Sequence, residues 1–207
     1  MMRLYIVRHG ETPWNTERRL QGQTDIALNE NGRSLAGVTA RALQKVPFDL
    51  AVTSPLSRAV ETAEIIIGTR KIPLIPEPRI QEISFGEREG KRMTDEERDH
   101  PGSDFYQFFH EPQNYQPGRG GETIDALCAR TGAFLDELKE KKEWQDSTIL
   151  ISSHGAAVRA MQSHMTGCSR SSFWGSGVPK NCAVTIVELE NGSWIIKEQD
   201  VVYYENL

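Results

Sequence analysis

The sequence contains few cysteines, and their pattern argues against two kinds of cysteine-dependent protein. The three cysteines are Cys128, Cys168 and Cys182, an odd number without the spacing of a metal site. A disulfide framework needs paired cysteines, and a zinc site needs closely spaced ligand pairs. We therefore expect neither, and we expect a reducing, cytoplasmic compartment.

Long apolar runs and an excess of positive charge are also missing. The apolar run near the start covers only residues 4–7, too short for the core of a signal peptide, and nowhere do about 18 apolar residues follow one another. The net charge is −5, whereas general binders of nucleic acid or anionic membranes carry a basic surface. We expect a soluble protein that binds neither nucleic acid nor membrane, although a local basic pocket is still allowed.

The sequence does contain what one globular domain needs. Its 207 residues are 38% hydrophobic and 26% charged, which suffices for a sizeable core. No repeat or low-complexity segment interrupts the pattern. We expect a single domain over residues 1–207.

Strand and helix patterns alternate along the first part of the chain. An apolar strand ends at Arg8, and a helical spacing follows over residues 29–46, with Asn29 as its N-cap. Residues 49–54 predict a second strand, and Ser54-Pro55 predicts the cap and first position of a helix that runs to Ile67. Residues 72–75 predict a short edge strand, because Pro73 interrupts them.

The alternation returns in the last part of the chain. Apolar residues from 124 to 138 follow one helix face, and residues 148–153 predict a buried strand before a helix over residues 156–166. Residues 182–189 and 193–203 predict a closing hairpin around Asn191-Gly192. This order is typical of an α/β domain with a mainly parallel central sheet.

Residues 82–121 break the alternation. They combine a charged run, a cluster of aromatic residues and, at their end, Gly118, Gly120 and Gly121. We interpret this stretch as an inserted, partly helical lid over the ligand crevice, not as a separate domain. Its aromatic residues are expected to anchor the insert rather than to contact substrate.

Histidine directly follows two of the predicted strands, in Arg8-His9-Gly10 and in Ser153-His154-Gly155. Ligands of open α/β sheets bind at the carboxyl ends of the strands. Arg58 lies at a strand-to-helix junction, a usual place for an anion. A lone histidine or arginine is more often structural or solvated, so the prediction depends on the convergence of these residues with Asn15 and Glu82 in nearby loops.

These residue types share one chemistry. Two arginine forks can donate paired hydrogen bonds to a phosphate dianion, and a neutral imidazole can attack its phosphorus. A carboxylic acid can protonate the departing oxygen and then, as carboxylate, take a proton from water. The set predicts phosphoryl transfer from a small-molecule phosphomonoester. The sequence shows no Asp or His cluster suited to magnesium or zinc.

The motifs that contain these residues resemble those of the histidine phosphatase superfamily, the phosphoglycerate mutase-like proteins. In chain order they are Arg8-His9-Gly10-Glu11-Thr12-Pro13-Trp14-Asn15, Leu20-Gln21-Gly22-Gln23-Thr24-Asp25, Ser54-Pro55-Leu56-Ser57-Arg58-Ala59, Glu82-Ile83-Ser84-Phe85-Gly86, Gly121-Glu122-Thr123 and Ser152-Ser153-His154-Gly155. Several motifs in the right order are far more specific than any one. The resemblance spans most of the chain and implies a three-layer α/β/α fold of the phosphoglycerate mutase type.

The resemblance also implies a role for each residue. His9 is the implied nucleophile and Glu82 the proton donor. Arg8, Arg58 and His154 hold the phosphoryl group. Asn15 adds a side-chain donor, and Gln21, Gly22 and Gly155 are the further substrate-binding positions.

The implied enzyme is a metal-independent phosphatase of the histidine acid type. The resemblance implies neither a metal nor a cofactor, and the absence of an Asp or His cluster agrees with this. A cofactor-dependent phosphoglycerate mutase is the alternative enzyme, and a catalytically silent relative that binds a phosphorylated ligand is the alternative of another class. Residues 87–119 hold eight acidic residues, Asp104 among them, against five basic ones. A net negative lid disfavours a mutase because it repels a second phosphate, although Arg88 and Arg92 could offset this. The sequence leaves the physiological substrate and a homo-oligomer open.

Overall fold

The computed structural model describes residues 1–103 and 105–204. Its strands are β1 (Arg3–Arg8), β2 (Leu50–Thr53), β3 (Leu74–Pro76), β4 (Thr148–Ser153), β5 (Val184–Glu190) and β6 (Ser193–Val201). Within the described ranges they form one sheet in the order β3-β2-β4-β1-β5-β6. β1, β2, β3 and β4 are parallel, whereas β5 runs antiparallel to β1 and β6 antiparallel to β5. The predicted mainly parallel sheet is confirmed.

The α-helices of the described residues are α1 (Pro13–Thr16), α2 (Glu30–Ala42), α3 (Ser57–Ile67), α4 (Asp95–Asp99), α5 (Tyr106–His110), α6 (Ile124–Glu140) and α7 (Gly155–Thr166). α2 and α3 cover one face of the sheet, and α6 and α7 cover the other. Side chains of a strand alternate between its faces. Leu4 and Ile6 therefore pack with α6 and α7, while Tyr5 and Val7 pack with α3 and the end of α2. The three-layer α/β/α fold is confirmed.

The N-cap predicted for α2 is correct, whereas the N-cap predicted for α3 is wrong. The side chain of Asn29 accepts the N–H of Gly32 at 2.7 Å, so Asn29 is the N-cap of α2 as predicted, although the helix ends at Ala42 and not at residue 46. The prediction that Ser54 caps α3 is wrong, because that helix begins at Ser57. Asp25 from another loop accepts the N–H of Ser57 at 2.8 Å and supplies the cap.

The remaining elements lie close to their predicted places. The third strand is an edge strand as expected, shifted to Leu74–Pro76, and the N–H of Ala51 reaches the carbonyl of Pro73 at 2.8 Å. Asn191 and Gly192 both have positive φ, 49° and 77°, which suits a tight hairpin turn between β5 and β6. The helix predicted from residue 124 is α6, and its predicted apolar face is buried.

The stretch 82–121 contains α4, α5 and two short 3-10 helices, Gly86–Arg88 and Pro112–Asn114. Its Phe105, Phe108 and Tyr115 are buried in one cluster with Phe173 and Trp174, so these aromatic residues anchor the segment. The expectation that they stay away from the ligand cleft is met only in part, because Phe108 and Phe109 also line it. Asp104, one of the acidic residues counted from the sequence, lies outside the described residues. That the stretch acts as a lid stays a prediction.

No membrane-spanning helix was found among the residues that the structure describes.

Candidate active site

The sheet order brings the two predicted histidines together. β1 and β4 are neighbours in parallel register, with Arg8 opposite Ser153. A histidine directly follows the last residue of each of these strands, and the ring centroids of His9 and His154 lie 5.1 Å apart. The carboxyl edge of the sheet therefore holds both, as the sequence predicted.

One ring nitrogen of His9 is hydrogen-bonded, and the other has no partner among residues 1–103 and 105–204. Its side chain is buried, and Nδ1 lies 2.6 Å from the carbonyl oxygen of Gly10. Since a carbonyl only accepts hydrogen bonds, Nδ1 carries the hydrogen and Nε2 of the neutral ring has the lone pair. Burial lowers the pKa of His9 well below 6.5, and the charges of Arg58 and Arg8 lower it further. At neutral pH the ring is thus uncharged and can act as a nucleophile.

Arg58 is fully buried in the first turn of α3, which excludes the solvated surface position that an arbitrary arginine takes. Its guanidinium donates to the carbonyls of Thr24 (2.8 Å) and Gly22 (2.7 Å), and Nε donates to Nδ1 of His154 (3.2 Å). Burial lowers the pKa of Arg58 to about 10, so the group keeps its charge at neutral pH. Three of its five N–H groups are used, and two are left for a ligand.

Arg8 supplies a second cation, which is partly buried. Its Nη1 donates to the carbonyl of Pro179, whereas its buried Nε has no hydrogen-bond partner among the described residues. Burial lowers the pKa of Arg8, and the nearby carboxylate of Glu82 counteracts this. A buried donor without a partner is costly, and an anion in the cleft would satisfy it.

His154 is fixed from both sides by the protein. Because the Nε of an arginine can only donate, Nδ1 of His154 accepts from Arg58 and the hydrogen is on Nε2, which lies 2.7 Å from Oγ of Ser54. Burial and the charge of Arg58 lower the pKa of His154 well below 6.5. In this arrangement the neutral ring orients Arg58 from behind the cleft.

Glu82 is held by the start of α7. Its Oε1 accepts the backbone N–H groups of Ile83 (3.0 Å), Ala156 (3.1 Å) and Ala157 (3.1 Å), while Oε2 accepts only that of Ala156 (3.2 Å). Glu82 lines the cleft, so Oε2 is the oxygen with more freedom to exchange a proton.

Gly155 leaves space between the acid and the first arginine. A Cβ on this residue would lie 3.0 Å from Val178, 3.5 Å from Oε2 of Glu82 and 3.7 Å from Nε of Arg8. The missing side chain therefore keeps open the part of the cleft that Glu82 and Arg8 share.

Three further predicted positions line the same cleft. Oδ1 of Asn15 accepts the N–H of Thr12 at 3.0 Å, which leaves its amide hydrogens for a ligand. Oε1 of Gln21 accepts from Oγ1 of Thr12 at 2.9 Å, and its amide group is oriented in the same way. Gly22 has a φ of +52° and contacts the carboxylate of Glu89 so closely that no Cβ would fit.

The cleft has a volume of about 140 Å³ and is lined by both polar and apolar residues. All the predicted site residues line it except His154, which lies behind Arg58. Its apolar lining consists of Leu20, Phe85, Phe108, Phe109, Ala156, Trp174 and Val178, and Arg19 lines it as well. Arg19 is bonded to the carboxylate of Glu17 at 2.5 Å and to the carbonyl of Gly90 at 2.8 Å.

Sequence reasoning missed three residues that support this site. Asn181 donates to the carbonyl of His9 at 3.0 Å and lies 3.4 Å from Oδ1 of Asn15. Ser54 bonds His154, and Arg130 bonds the backbone of Glu82 at 2.9 Å. Each acts across a long sequence separation. Ser54 lies in one of the motifs quoted from the sequence, where it was predicted only as a helix cap, and no local pattern marks Asn181 or Arg130.

No set of three or more His, Cys, Asp or Glu side chains that could hold a metal ion occurs within residues 1–103 and 105–204.

Comparison with known proteins gives consistent matches along the chain. The family model described as histidine phosphatase superfamily (branch 1) matches residues 4–201. "Phosphoserine phosphatase 1" of Hydrogenobacter thermophilus is 31% identical over 201 residues, which cover 97% of this chain and 93% of that protein. "Probable phosphoglycerate mutase GpmB" of Photorhabdus laumondii subsp. laumondii is 29% identical and covers 94% of this chain and 88% of its own length. Among solved structures, Bacillus stearothermophilus YhfR is 33% identical with a TM-score of 0.88, over 98% of this chain and 99% of that one.

Proposed function

The chain belongs to branch 1 of the histidine phosphatase superfamily and is a phosphatase of that superfamily, and we propose that it hydrolyses small phosphomonoesters through a phosphohistidine formed on His9. One observation carries the proposal. A buried, neutral imidazole has an Nε2 lone pair that no described residue binds, in a cleft that also contains the guanidinium groups of buried Arg58 and partly buried Arg8, the latter with a donor that has no partner among the described residues. Such an arrangement binds a phosphate dianion and presents a nucleophile to its phosphorus.

The first step transfers the phosphoryl group to the enzyme. Nε2 of His9 forms the bond to phosphorus as the ester P–O bond breaks, while the hydrogen stays on Nδ1, which donates it in a hydrogen bond to the carbonyl of Gly10. Protonated Glu82 gives its proton to the departing oxygen, so that the product leaves as a neutral alcohol. Charge on the transferring group is stabilised by Nε of Arg8, the two remaining N–H groups of Arg58 and the amide of Asn15.

The second step returns the enzyme to its starting state. The carboxylate of Glu82 takes a proton from a water molecule, whose oxygen attacks phosphorus as the N–P bond breaks. Inorganic phosphate leaves, and His9 regains its neutral ring with Nε2 free. Arg8 and Arg58 supply the positive charge that a metal supplies in other phosphoryl transfers, so we propose a metal-independent enzyme of the histidine acid type.

The substrate is proposed as a class. A cleft of about 140 Å³ suits a phosphate group with a small organic part. The similarity to a protein named phosphoserine phosphatase makes phosphoserine one of the first compounds to test. A catalytically silent binder is disfavoured, because all the predicted catalytic side chains are present and the cleft is open.

Chemical trapping of the intermediate tests this function. The protein is mixed with a phosphomonoester that is radiolabelled on phosphorus, and the reaction is stopped in alkali, where phosphohistidine survives. The protein is then digested to locate the label. We expect the label on His9 and no turnover in His9→Ala, with normal turnover in the control His100→Ala, which replaces an exposed histidine. Label on a serine or aspartate, or full activity of His9→Ala, would show that the proposal is wrong.

A further inference from the structure

The guanidinium group of Arg130 uses every donor it has. Arg130 lies on α6, and its Nε and Nη2 bind the two carboxylate oxygens of Glu122 at 2.7 and 2.8 Å. Its Nη1 donates to the carbonyls of Arg79 (2.7 Å) and Gln81 (2.8 Å), and Nη2 donates also to that of Glu82 (2.9 Å). A guanidinium has five N–H groups, and all five are paired here. None is left to bind a ligand, so the group has a purely internal task.

That task concerns the segment that ends at the proposed acid. Four consecutive carbonyls, those of residues 79–82, are each bonded by a side chain. Arg130 binds three of them, and Oγ of Ser153, at the end of β4, binds that of Ile80 at 2.8 Å. The backbone before Glu82 is thereby attached both to α6 and to the strand that delivers His154.

We propose that Arg130 is a positioning residue for the proton transfer by Glu82, and this inference rests on the function proposed above. Three carbonyls and a bidentate carboxylate define a planar pattern that a guanidinium matches and that the compact ammonium of a lysine does not. Arg130 does not line the cleft. It acts by fixing the backbone from which the Glu82 side chain reaches the start of α7.

A second arginine of the same segment gives a matched control. The side chain of Arg79 binds Glu77 at 2.7 Å and Glu137 of α6 at 2.8 Å, so it too connects this segment to α6. None of the hydrogen bonds and ion pairs of the Arg79 side chain in the described residues involves the backbone of Glu82. General loosening of the segment should therefore appear in Arg79→Gln, whereas misplacement of the acid should appear only when Arg130 is changed.

The experiment compares kcat/KM for two substrates, an alkyl phosphate, whose alcohol needs a proton to leave, and p-nitrophenyl phosphate, whose phenolate does not. A misplacement of the order of 1 Å can cost about 10²-fold in rate. We expect Arg130→Gln and Arg130→Lys to lower kcat/KM for the alkyl phosphate. This loss should exceed any loss on p-nitrophenyl phosphate by between about 10- and 10²-fold. We expect Arg79→Gln either to lower kcat/KM equally for both substrates or to leave both values unchanged.

The same pair of substrates is then measured in the Glu82→Gln background. Once the acid is absent its position no longer matters, so adding Arg130→Gln should cause no further loss that is selective for the alkyl phosphate. If Arg130→Gln does not fold, Glu122→Gln is tested instead, because it removes the carboxylate that binds the guanidinium of Arg130. We expect a smaller loss of kcat/KM that is again selective for the alkyl phosphate.

Each outcome separates the inference from the proposed function. An equal fall on both substrates in Arg130→Gln, or a selective loss that persists without Glu82, overturns the positioning role. If Glu82→Gln itself shows no selective loss, the assignment of the acid fails and the positioning role fails with it. If Glu82→Gln is selective and the Arg130 variants are not, only the inference drawn here is wrong.

Discussion

Both carboxylate oxygens of Glu82 accept the backbone N–H of Ala156, at 3.1 and 3.2 Å. Ala156 is the second residue of α7, and His154, the N-cap of that helix, makes no capping bond with its side chain. The proposed acid is therefore also the cap of the helix that follows the second histidine. Unbonded N–H groups at a helix start attract a carboxylate, which fixes the distance of Glu82 from the rest of the site.

Replacement of Glu82 by glutamine should separate its two tasks. The amide oxygen of Glu82→Gln can still accept from α7, but the side chain has no acidic proton. General acid catalysis contributes about 10²–10⁴-fold, so kcat/KM for alkyl phosphates should fall by that order while p-nitrophenyl phosphate is much less affected. A series of phosphomonoesters with leaving alcohols of graded acidity measures this dependence.

The control for this series is Glu87→Gln, since Glu87 is exposed and does not line the cleft. It should leave both rates unchanged. Glu122 is no substitute for the acid, because Arg130 holds both of its carboxylate oxygens. Equal slowing of all esters in Glu82→Gln would assign the proton to another group.

Removal of metal ions should not change the rate. Arg8 and Arg58 already provide the positive charge that phosphoryl transfer needs, so activity after dialysis against EDTA should equal that of the untreated protein. Vanadate, which adopts the trigonal-bipyramidal geometry of the transferring group, should inhibit. Activity that is lost in EDTA and restored by magnesium would point to a metal phosphatase instead.

The buried histidines should make the protein less stable in acid. His9 and His154 have pKa values well below 6.5 in the folded state, because burial and nearby arginine charges disfavour their protonation. Below about pH 6.5 the unfolded chain therefore binds more protons than the folded one, and the free energy of unfolding falls as pH falls. Each such histidine contributes a slope of up to about 1.4 kcal/mol per pH unit. Above that pH these two groups contribute no pH dependence.

Urea unfolding between about pH 5 and pH 8 measures this slope. We expect His154→Gln to have a shallower slope than the parent protein, since one of the two groups is gone. The control His100→Gln replaces an exposed histidine and should keep the parent slope. Identical slopes in all three proteins would show that burial of His154 does not resist protonation.

Phosphate release should exceed isomerisation when the protein is given 3-phosphoglycerate with a trace of 2,3-bisphosphoglycerate. A mutase must bind a second phosphate, and the arginines or lysines that line the cleft in the described part of the chain are Arg8, Arg19 and Arg58. Arg88 and Arg92, which the sequence left open for that purpose, lie elsewhere. Formation of 2-phosphoglycerate that outpaces free phosphate by a wide margin would favour the mutase.

The elements of the fold could be predicted because their signals are local. Asn29 stands directly before its helix, and the apolar spacing from residue 124 to residue 138 marks one helix face without reference to any other segment. Ser54 shows the limit of such signals. Its hydroxyl had a suitable position for a cap, but tertiary structure brings His154 to it and gives the cap to Asp25.

The site residues also divide into those that a local pattern predicted and those that it did not. His9, His154 and Arg58 were predicted because each follows a strand, and the sheet then brings them to one edge. Their partners could not be predicted, because Arg130 and Asn181 act through backbone carbonyls that any residue provides. Trp174, far along the chain from residues 82–121, was also not expected in the cleft. It stacks on Phe109, with ring centroids 5.5 Å apart.

The position of β1 affects how the chain must be synthesised and folded. β1 precedes its sheet partners β4 and β5 by well over a hundred residues, so Arg3 pairs with Thr148 on one side and Glu188 on the other only after both strands have been made. Leu4 and Ile6 are fully buried in the folded protein but lack these partners until then. Pairing over such a sequence separation is slow, and unpaired apolar strands aggregate readily. A nascent chain that stops before β4 therefore carries His9 and Arg8 but no active site, and its exposed β1 is prone to aggregation.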